Sequence, residues 1–203
     1  MDKKKGVNSK TFAVLLVMVL VIGCVIGGSV AWLVSNPDSV VNTFTYGDIN
    51  ITLAETTGNS FKILPGNNIL KDPKVTVQAN SEACWLFVKV DESNWPTFTE
   101  GTPATRKVNY AIAEGWTALD GVPGVYYRKV DATLSTGEEF SVLKDNEVTV
   151  SENLTKAEVN EINKINKTNA ENNAQTKLTF TAYAVQRDSN ITTAAQAWTI
   201  ANS

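Results

Sequence analysis

The chain has 203 residues, 43% of them hydrophobic, and its 18 basic and 21 acidic side chains give a net charge of −3. It contains no histidine, which is the commonest metal ligand and the commonest general base at neutral pH. This excludes zinc-protease helix motifs and Ser-His or Cys-His nucleophiles. Carboxylate chemistry and carboxylate-bound calcium stay possible in principle, but the sequence shows no recognisable carboxylate pair and no loop of regularly spaced Asp with a closing Glu. We therefore predict a protein that is not an enzyme and has no catalytic residue, metal or cofactor.

The N-terminus is typical of an exported protein. Four lysines within the first ten residues precede an uncharged apolar run from Thr11 to about Val34, which is long enough to span a bilayer. The small-x-small pattern Ser29-Val30-Ala31 predicts cleavage between Ala31 and Trp32. We therefore expect residues 1–31 to be a signal peptide that a signal peptidase removes, and the mature protein to be secreted to the cell surface or extracellular matrix.

Two other interpretations of the apolar run remain open. The run could stay uncleaved as an N-terminal membrane anchor. Alternatively, Val21-Ile22-Gly23-Cys24 fits a lipid-attachment box, although the residues after Cys24 stay apolar where a lipoprotein normally turns polar. In all three interpretations the folded part lies outside the membrane. In the leading one, only the uncleaved precursor touches the membrane.

Cleavage after Ala31 would leave 172 residues, enough for one domain with a sizeable core. Losing four lysines and Asp2 leaves 14 basic and 20 acidic residues, a net charge of −6, which argues against nucleic acid as a partner. Cys84 would be the only remaining cysteine, so no intramolecular disulfide can form. Because it lies in the apolar run 83–88, we expect a buried side chain rather than a reactive thiol.

Most of the mature chain is predicted to form short strands separated by turns. The segment Trp32–Val41 contains Pro37, which suits an edge or exchanged strand better than a central one. Apolar residues then alternate through residues 42–53, with a slip near Gly47-Asp48 that suggests a bulge or tight bend. The run 83–90 is apolar at nearly every position and predicts a central strand buried on both faces, while 91–106 is a predicted surface loop. The remaining predicted strands are 61–64, 74–79, 108–112, 125–130, 147–150 and 178–186.

Two segments depart from the strand pattern. Thr155 and Glu158 have the spacing of a helix capping box, and apolar residues at helical spacing follow, so we predict a helix over about 156–168. Residues 193–198 fit either one helical turn or a final strand. Together these features predict an all-β protein, an antiparallel jelly-roll-like β-sandwich over residues 42–203 with one short inserted helix.

Several short motifs follow the predicted cut site in a particular order: Asn42–Leu53, Leu64-Pro65-Gly66, Lys71–Val77, Asn80-Ser81-Glu82 and Val88-Lys89-Val90. This series, over roughly residues 25–90, resembles the TasA/camelysin family of exported Gram-positive matrix proteins. The signal peptides of that family are cut by a dedicated signal peptidase of the SipW type. The resemblance implies a jelly-roll-like sandwich, secretion, and subunits that join into extracellular fibres of the biofilm matrix.

The resemblance also implies how subunits join: the freed N-terminal segment of one subunit is a donor strand that completes the sheet of the next. The donor would be residues 32 to about 46, and the chain itself would be the main partner in a head-to-tail homopolymer, with minor matrix subunits as further partners. Its apolar anchors would be Val34, Val40, Phe44 and Tyr46. For residues 44–53 the pattern favours the first strand of the chain's own sheet, whereas for 32–41 both alternatives stay open.

Two other functions are weighed against this one. A membrane-anchored or secreted sandwich domain could bind a host or cell-wall ligand through Trp95, Phe98 and Trp116, although we expect these aromatic residues to cap the core. The family name also carries a metalloprotease activity. Without histidine or a cluster of metal ligands in the sequence, we do not extend that activity to this chain.

Overall fold

The computed structural model describes residues 42–46, 48–57, 61–133, 135–168 and 175–203, and these form thirteen strands and two α-helices. A short 3-10 turn at Lys144–Asn146 joins two of the strands. The elements are β1 (Asn42–Tyr46), β2 (Ile51–Ala54), β3 (Ile69–Leu70), β4 (Lys74–Val77), β5 (Cys84–Ser93), β6 (Thr99–Glu100), β7 (Thr105–Arg106), β8 (Val108–Asn109), β9 (Thr117–Ala118), β10 (Val125–Val130), β11 (Glu138–Ser141), β12 (Glu147–Val150), α1 (Lys156–Thr168), β13 (Lys177–Gln186) and α2 (Ala194–Ala201).

The main sheet has five strands in the order β1-β13-β5-β10-β9. Its two longest strands, β13 and β5, pair antiparallel over ten residues, from Lys177 opposite Ser93 to Gln186 opposite Cys84. β1 runs parallel to β13, whereas every other pairing between described strands is antiparallel. The all-β, mainly antiparallel fold predicted from the sequence is confirmed, and the jelly-roll connectivity stays a prediction.

Two three-stranded sheets and a hairpin make up the rest of the strands. Their orders are β11-β4-β2 and β3-β12-β8, and β6 pairs with β7. Side chains from these two sheets and from the inner face of the main sheet form the larger hydrophobic core. On β13 this inner face consists of Leu178, Phe180, Ala182 and Ala184, the set that the alternation of the sequence predicts.

β5 is buried on both faces, as its apolar sequence predicts. Leu86 and Val88 join the larger core, whereas Trp85 and Phe87 point to the opposite face. There they form a second hydrophobic cluster with α2, whose Trp198 is buried against them. The sandwich therefore has a helix on the outer face of its main sheet, because two aromatic residues of β5 need cover on that side.

The structure differs from the sequence expectation in several elements. β1 and β2 lie in different sheets, so of the two predicted alternatives near Asp48 the described residues have a bend, which leads from one sheet to the other, rather than a bulge. α1 has the predicted bounds, but residues 194–201 form a second helix. The predicted strand 61–64 is irregular backbone, and the predicted loop 91–106 contains the end of β5 and the hairpin β6–β7.

Candidate functional site

The candidate site is the edge of the main sheet that β1 occupies. β1 pairs with only half of β13, from Asn42 opposite Thr181 to Tyr46 opposite Val185. Within the described part of the chain, no strand lies beside Leu178–Phe180 on that side of β13. Sheet edges are where strands from other chains add, so we take this stretch of β13 as the candidate position for strand addition.

Among the described strands, β1 forms a backbone pairing only with β13. Its residues Thr43 and Thr45 are exposed, and the chain leaves the main sheet directly after the strand to enter β2 of another sheet. Removing β1 would therefore break one strand pairing and leave every other pairing of the described strands in place. This is the property that an exchangeable strand requires.

The chain just after β1 is held firmly. Ile49 is buried, and the amide of Asn50 donates to Ser81 Oγ at 3.1 Å. The amide of Gln78 donates to the carbonyl of Asn50 at 2.8 Å, and the amide of Glu82 donates to the carbonyl of Asp48 at 3.0 Å. Any movement of β1 must therefore hinge before Asp48, while the strands that follow keep their places.

A buried ion pair lies near Phe180, in the stretch of β13 that residues 42–46 of β1 do not pair with. Lys71 Nζ lies 2.5 Å from Glu55 Oε1, and the two side chains are 8% and 6% exposed. The ammonium group also lies 5.5 Å from the centre of the Phe180 ring and 5.4 Å from that of Phe61. Phe180 precedes the first residue that β1 covers, so this charged cluster lies where β1 begins.

The loop after Glu55 is fixed by Asp72. Its Oδ1 accepts hydrogen bonds from the amides of Thr56 at 2.9 Å and Thr57 at 3.1 Å, and its Oδ2 accepts one from the Thr56 hydroxyl. Desolvation raises the pKa of the Asp72 carboxyl, but these hydrogen bonds together outweigh it and lower the pKa to about 2. The carboxylate thus secures the loop beside the β1 edge at neutral pH.

The predicted site residues fall partly outside the described residues. These include the signal peptide 1–31, the cleavage pair Ala31 and Trp32, the segment 32–41, and the predicted anchors Val34 and Val40. Phe44 and Tyr46 lie in β1, where their backbones align with Tyr183 and Val185 of β13. Within the described ranges, no helix is long and apolar enough to cross a membrane.

The tryptophans of the alternative ligand-binding interpretation are packed against the core. The indole N–H of Trp95 donates to the carbonyl of Val108 at 3.1 Å, and that of Trp116 donates to the carbonyl of Ser141 at 2.9 Å. Both rings are half-buried, and Phe98 packs against the same core. The expectation that these residues cap the core is confirmed.

Cys84 is fully buried, as predicted. Burial raises the pKa of its thiol to about 12, an effect that Arg187 opposes only in part. Among the described residues, no group of three or more Cys, Asp or Glu side chains is placed to hold a metal ion.

The sequence did not predict one feature of this region, the Lys71–Glu55 pair, and it predicted α2 only as one of two alternatives. The Lys71–Glu55 pair joins residues far apart in the chain, and no local pattern signals it. α2, by contrast, carries a readable signal, because Thr193 and Gln196 have the same capping-box spacing that predicts α1. No protein-family model, curated protein or solved structure matches the chain, so no function comes to it from a relative.

Proposed function

We propose that this chain is a secreted structural subunit that assembles head to tail into fibres of the extracellular biofilm matrix. In such a fibre the N-terminal segment of one subunit, residues 32 to about 46, completes the main sheet of the next. One observation carries the proposal: β1 is an edge strand whose only pairing among the described strands is with β13. Backbone hydrogen bonds made in a neighbour replace those lost at home.

The register of β1 supports a specific geometry for the joint. β1 runs parallel to β13 and begins beside Thr181, so a donated segment in the same register continues past Phe180 towards Leu178. A donated segment that extends to residue 39 would therefore cover the β13 edge from Leu178 to Val185. Each backbone hydrogen bond of this joint contributes about 0.5–1.5 kcal/mol, so pairing in a neighbour offsets the pairing that β1 gives up at home.

The predicted export of the protein suggests when assembly begins. The predicted cut between Ala31 and Trp32 releases the segment that precedes β1 from the signal peptide. A precursor still tied to the membrane cannot pass this segment freely to a neighbour. Assembly would therefore begin outside the cell, after cleavage.

Chains with one cysteine each test the exchange in the mature protein, residues 32–203, after Cys84→Ala has removed the native thiol. Thr43 and Ala182 are aligned on β1 and β13, so we introduce Thr43→Cys in one preparation and Ala182→Cys in another. The two preparations are unfolded, mixed, refolded together and oxidised. If β1 enters a neighbour, a disulfide joins a Thr43→Cys chain to an Ala182→Cys chain, and a dimer band appears on a non-reducing gel.

A matched control replaces Thr43→Cys by Thr117→Cys, which changes an exposed residue of β9 on the opposite edge of the main sheet. Mixed with the Ala182→Cys chain, this variant should give no dimer band above the background of random collisions. Electron microscopy of the unmodified mature protein should show fibres. The proposal would be overturned by a folded protein that stays monomeric at high concentration, with no disulfide between the Thr43→Cys and Ala182→Cys chains beyond the control.

A further inference from the structure

The C-terminal helix α2 lies over the strand pairing that the proposed exchange must open. It packs on the outer face of the main sheet against β1, β13 and β5. The ring of Trp198 lies 5.0 Å from that of Tyr183 and 5.4 Å from that of Phe87, measured between ring centres. Tyr183 is the β13 residue aligned with Phe44, the middle residue of β1. The helix therefore sits above the centre of the β1–β13 pairing.

We infer that α2 is a latch that holds β1 in its own subunit and so regulates strand exchange. The inference rests on the proposed function, because a latch on β1 matters only if β1 can leave. Since α2 contacts β1 and β13 together, releasing either the helix or the strand removes packing from the other. Such coupling is reciprocal, so loosening the helix must also loosen the strand.

The helix is built so that it can detach on its own. It has only eight residues, and a helix of this length is marginal in water without tertiary packing. Its stability depends on the buried Ala197 and Trp198 and on the N-terminal capping box. The chain before it stays attached to β5, because the indole N–H of Trp85 donates to the carbonyl of Ile191 at 3.1 Å. Local opening of α2 therefore leaves the rest of the sandwich folded.

The two capping boxes of this chain provide a matched pair of variants. In α2 the amide of Gln196 donates to Thr193 Oγ1 at 3.3 Å, and in α1 the amide of Glu158 donates to Thr155 Oγ1 at 3.3 Å. Thr193→Ala and Thr155→Ala therefore remove the same hydrogen bond from two helices. α2 packs against β1, whereas among the described residues α1 shares no comparable contact with that strand.

The experiment measures amide hydrogen exchange of the mature monomer by mass spectrometry. Thr193→Ala should speed exchange in α2 and also in residues 42–46, each by roughly fivefold, the usual effect of losing an N-cap. Thr155→Ala should speed exchange in α1 and leave residues 42–46 unchanged. Faster exchange in α2 without any change in residues 42–46 would overturn the latch. If Thr193→Ala does not speed exchange in α2, Trp198→Ala is used instead to destabilise the helix. Hydrogen exchange in α2 is then again compared with that in residues 42–46, and an unchanged rate in 42–46 overturns the latch.

Assembly kinetics separate this inference from the proposed function. With a working latch, Thr193→Ala should shorten the lag before fibres appear, and Thr155→Ala should not. Fibres that form with equal lag in both variants would contradict the latch and leave strand exchange standing. Absence of fibres in all chains would contradict the proposed function, while the hydrogen-exchange data would still report whether α2 and β1 are coupled.

Discussion

The side chains of Lys71 and Glu55 form a buried ion pair next to the candidate edge. Burying two charges costs several kcal/mol for each ion, and their mutual attraction and nearby groups must offset that cost. Here the ammonium group also lies near the rings of Phe61 and Phe180, which attract cations. The pair therefore links the chain after β2 to the chain after β3 only while both side chains are charged.

We expect Lys71→Met to destabilise the fold by about 3–5 kcal/mol, because it removes the cation that balances the buried carboxylate of Glu55. Adding Glu55→Gln should recover much of this loss. A matched control is Lys74→Met, since Lys74 pairs with Glu139 at 2.8 Å on the surface, and its loss should cost at most about 1 kcal/mol. Urea unfolding of the mature protein measures all three. Equal losses for Lys71→Met and Lys74→Met would contradict the structural role of the buried pair.

Asp72 makes the stability of the same loop depend on pH. Its pKa is lowered from 3.8 to about 2 in the folded protein, so the carboxylate contributes stability above the unfolded pKa. That contribution is lost as pH falls from about 4 to about 2, when the carboxyl becomes protonated in both states. We expect Asp72→Asn to be less stable than the natural chain at neutral pH and to approach it near pH 2. Chemical unfolding at several pH values measures the difference, and a deficit that is constant across this range would disagree with it.

At the scale of elements, the sequence predicts those whose pattern is long and regular. The alternation of β13, the doubly buried β5 and the capped, periodic α1 all follow from local residues. The two-residue strands β3, β6 and β7 are too short to show any period. α2 is decided by packing, because the buried side chain of Trp198 contacts Phe87 and Tyr183 of distant strands.

The turn between β9 and β10 approaches the backbone of β5 closely. Gly124 has φ +76°, and a Cβ there would lie 2.7 Å from the carbonyl oxygen of Val90 on β5. The amide of Val90 in turn donates to the carbonyl of Gly124 at 2.8 Å. The turn backbone thus lies directly against the neighbouring strand, and only a glycine fits there.

We expect Gly124→Ala to cost more stability than Gly121→Ala, which is the matched control. Both residues have similar positive φ angles, but a Cβ at Gly121 would meet nothing within 4 Å. Gly121→Ala should therefore show only the backbone strain of about 1 kcal/mol, whereas Gly124→Ala adds a clash with β5 and should lose about 1–3 kcal/mol more. Thermal and urea unfolding compare the two. Equal losses would mean that the close approach to Val90 relaxes without cost.

At the scale of the whole molecule, the candidate edge depends on pairings that local sequence cannot reveal. The residues of β1 are readable as a strand, but its parallel alignment with β13 joins the two ends of the described chain. The sequence pattern favours a single first strand over residues 44–53. The structure instead divides that stretch between two sheets and leaves β1 at an edge. The proposed exchange depends on this division, because it leaves β1 with a single strand pairing.

A chain that begins at Asp48 should act as a terminator of fibres, because it keeps the β13 edge but has no strand to donate. Circular dichroism should show it folded, since every other pairing of the described strands remains. Added in small amounts to the full mature chain, it should shorten fibres in proportion to its concentration, because each copy accepts one donor and passes none on. The matched control carries Ala182→Arg in the same truncated chain. This places a charge at a fully buried position beside Thr43, so the receiving edge is lost.

Fibre lengths measured by electron microscopy would therefore fall with the first chain and stay constant with the second. If the control is unfolded, a synthetic peptide of residues 32–46 provides a second block, because it occupies the β13 edge of the truncated chain before mixing. Unchanged fibre length with the folded truncated chain would mean that the β13 edge does not receive the donor. The test thus separates a polymer built through this edge from one built through any other surface of the sandwich.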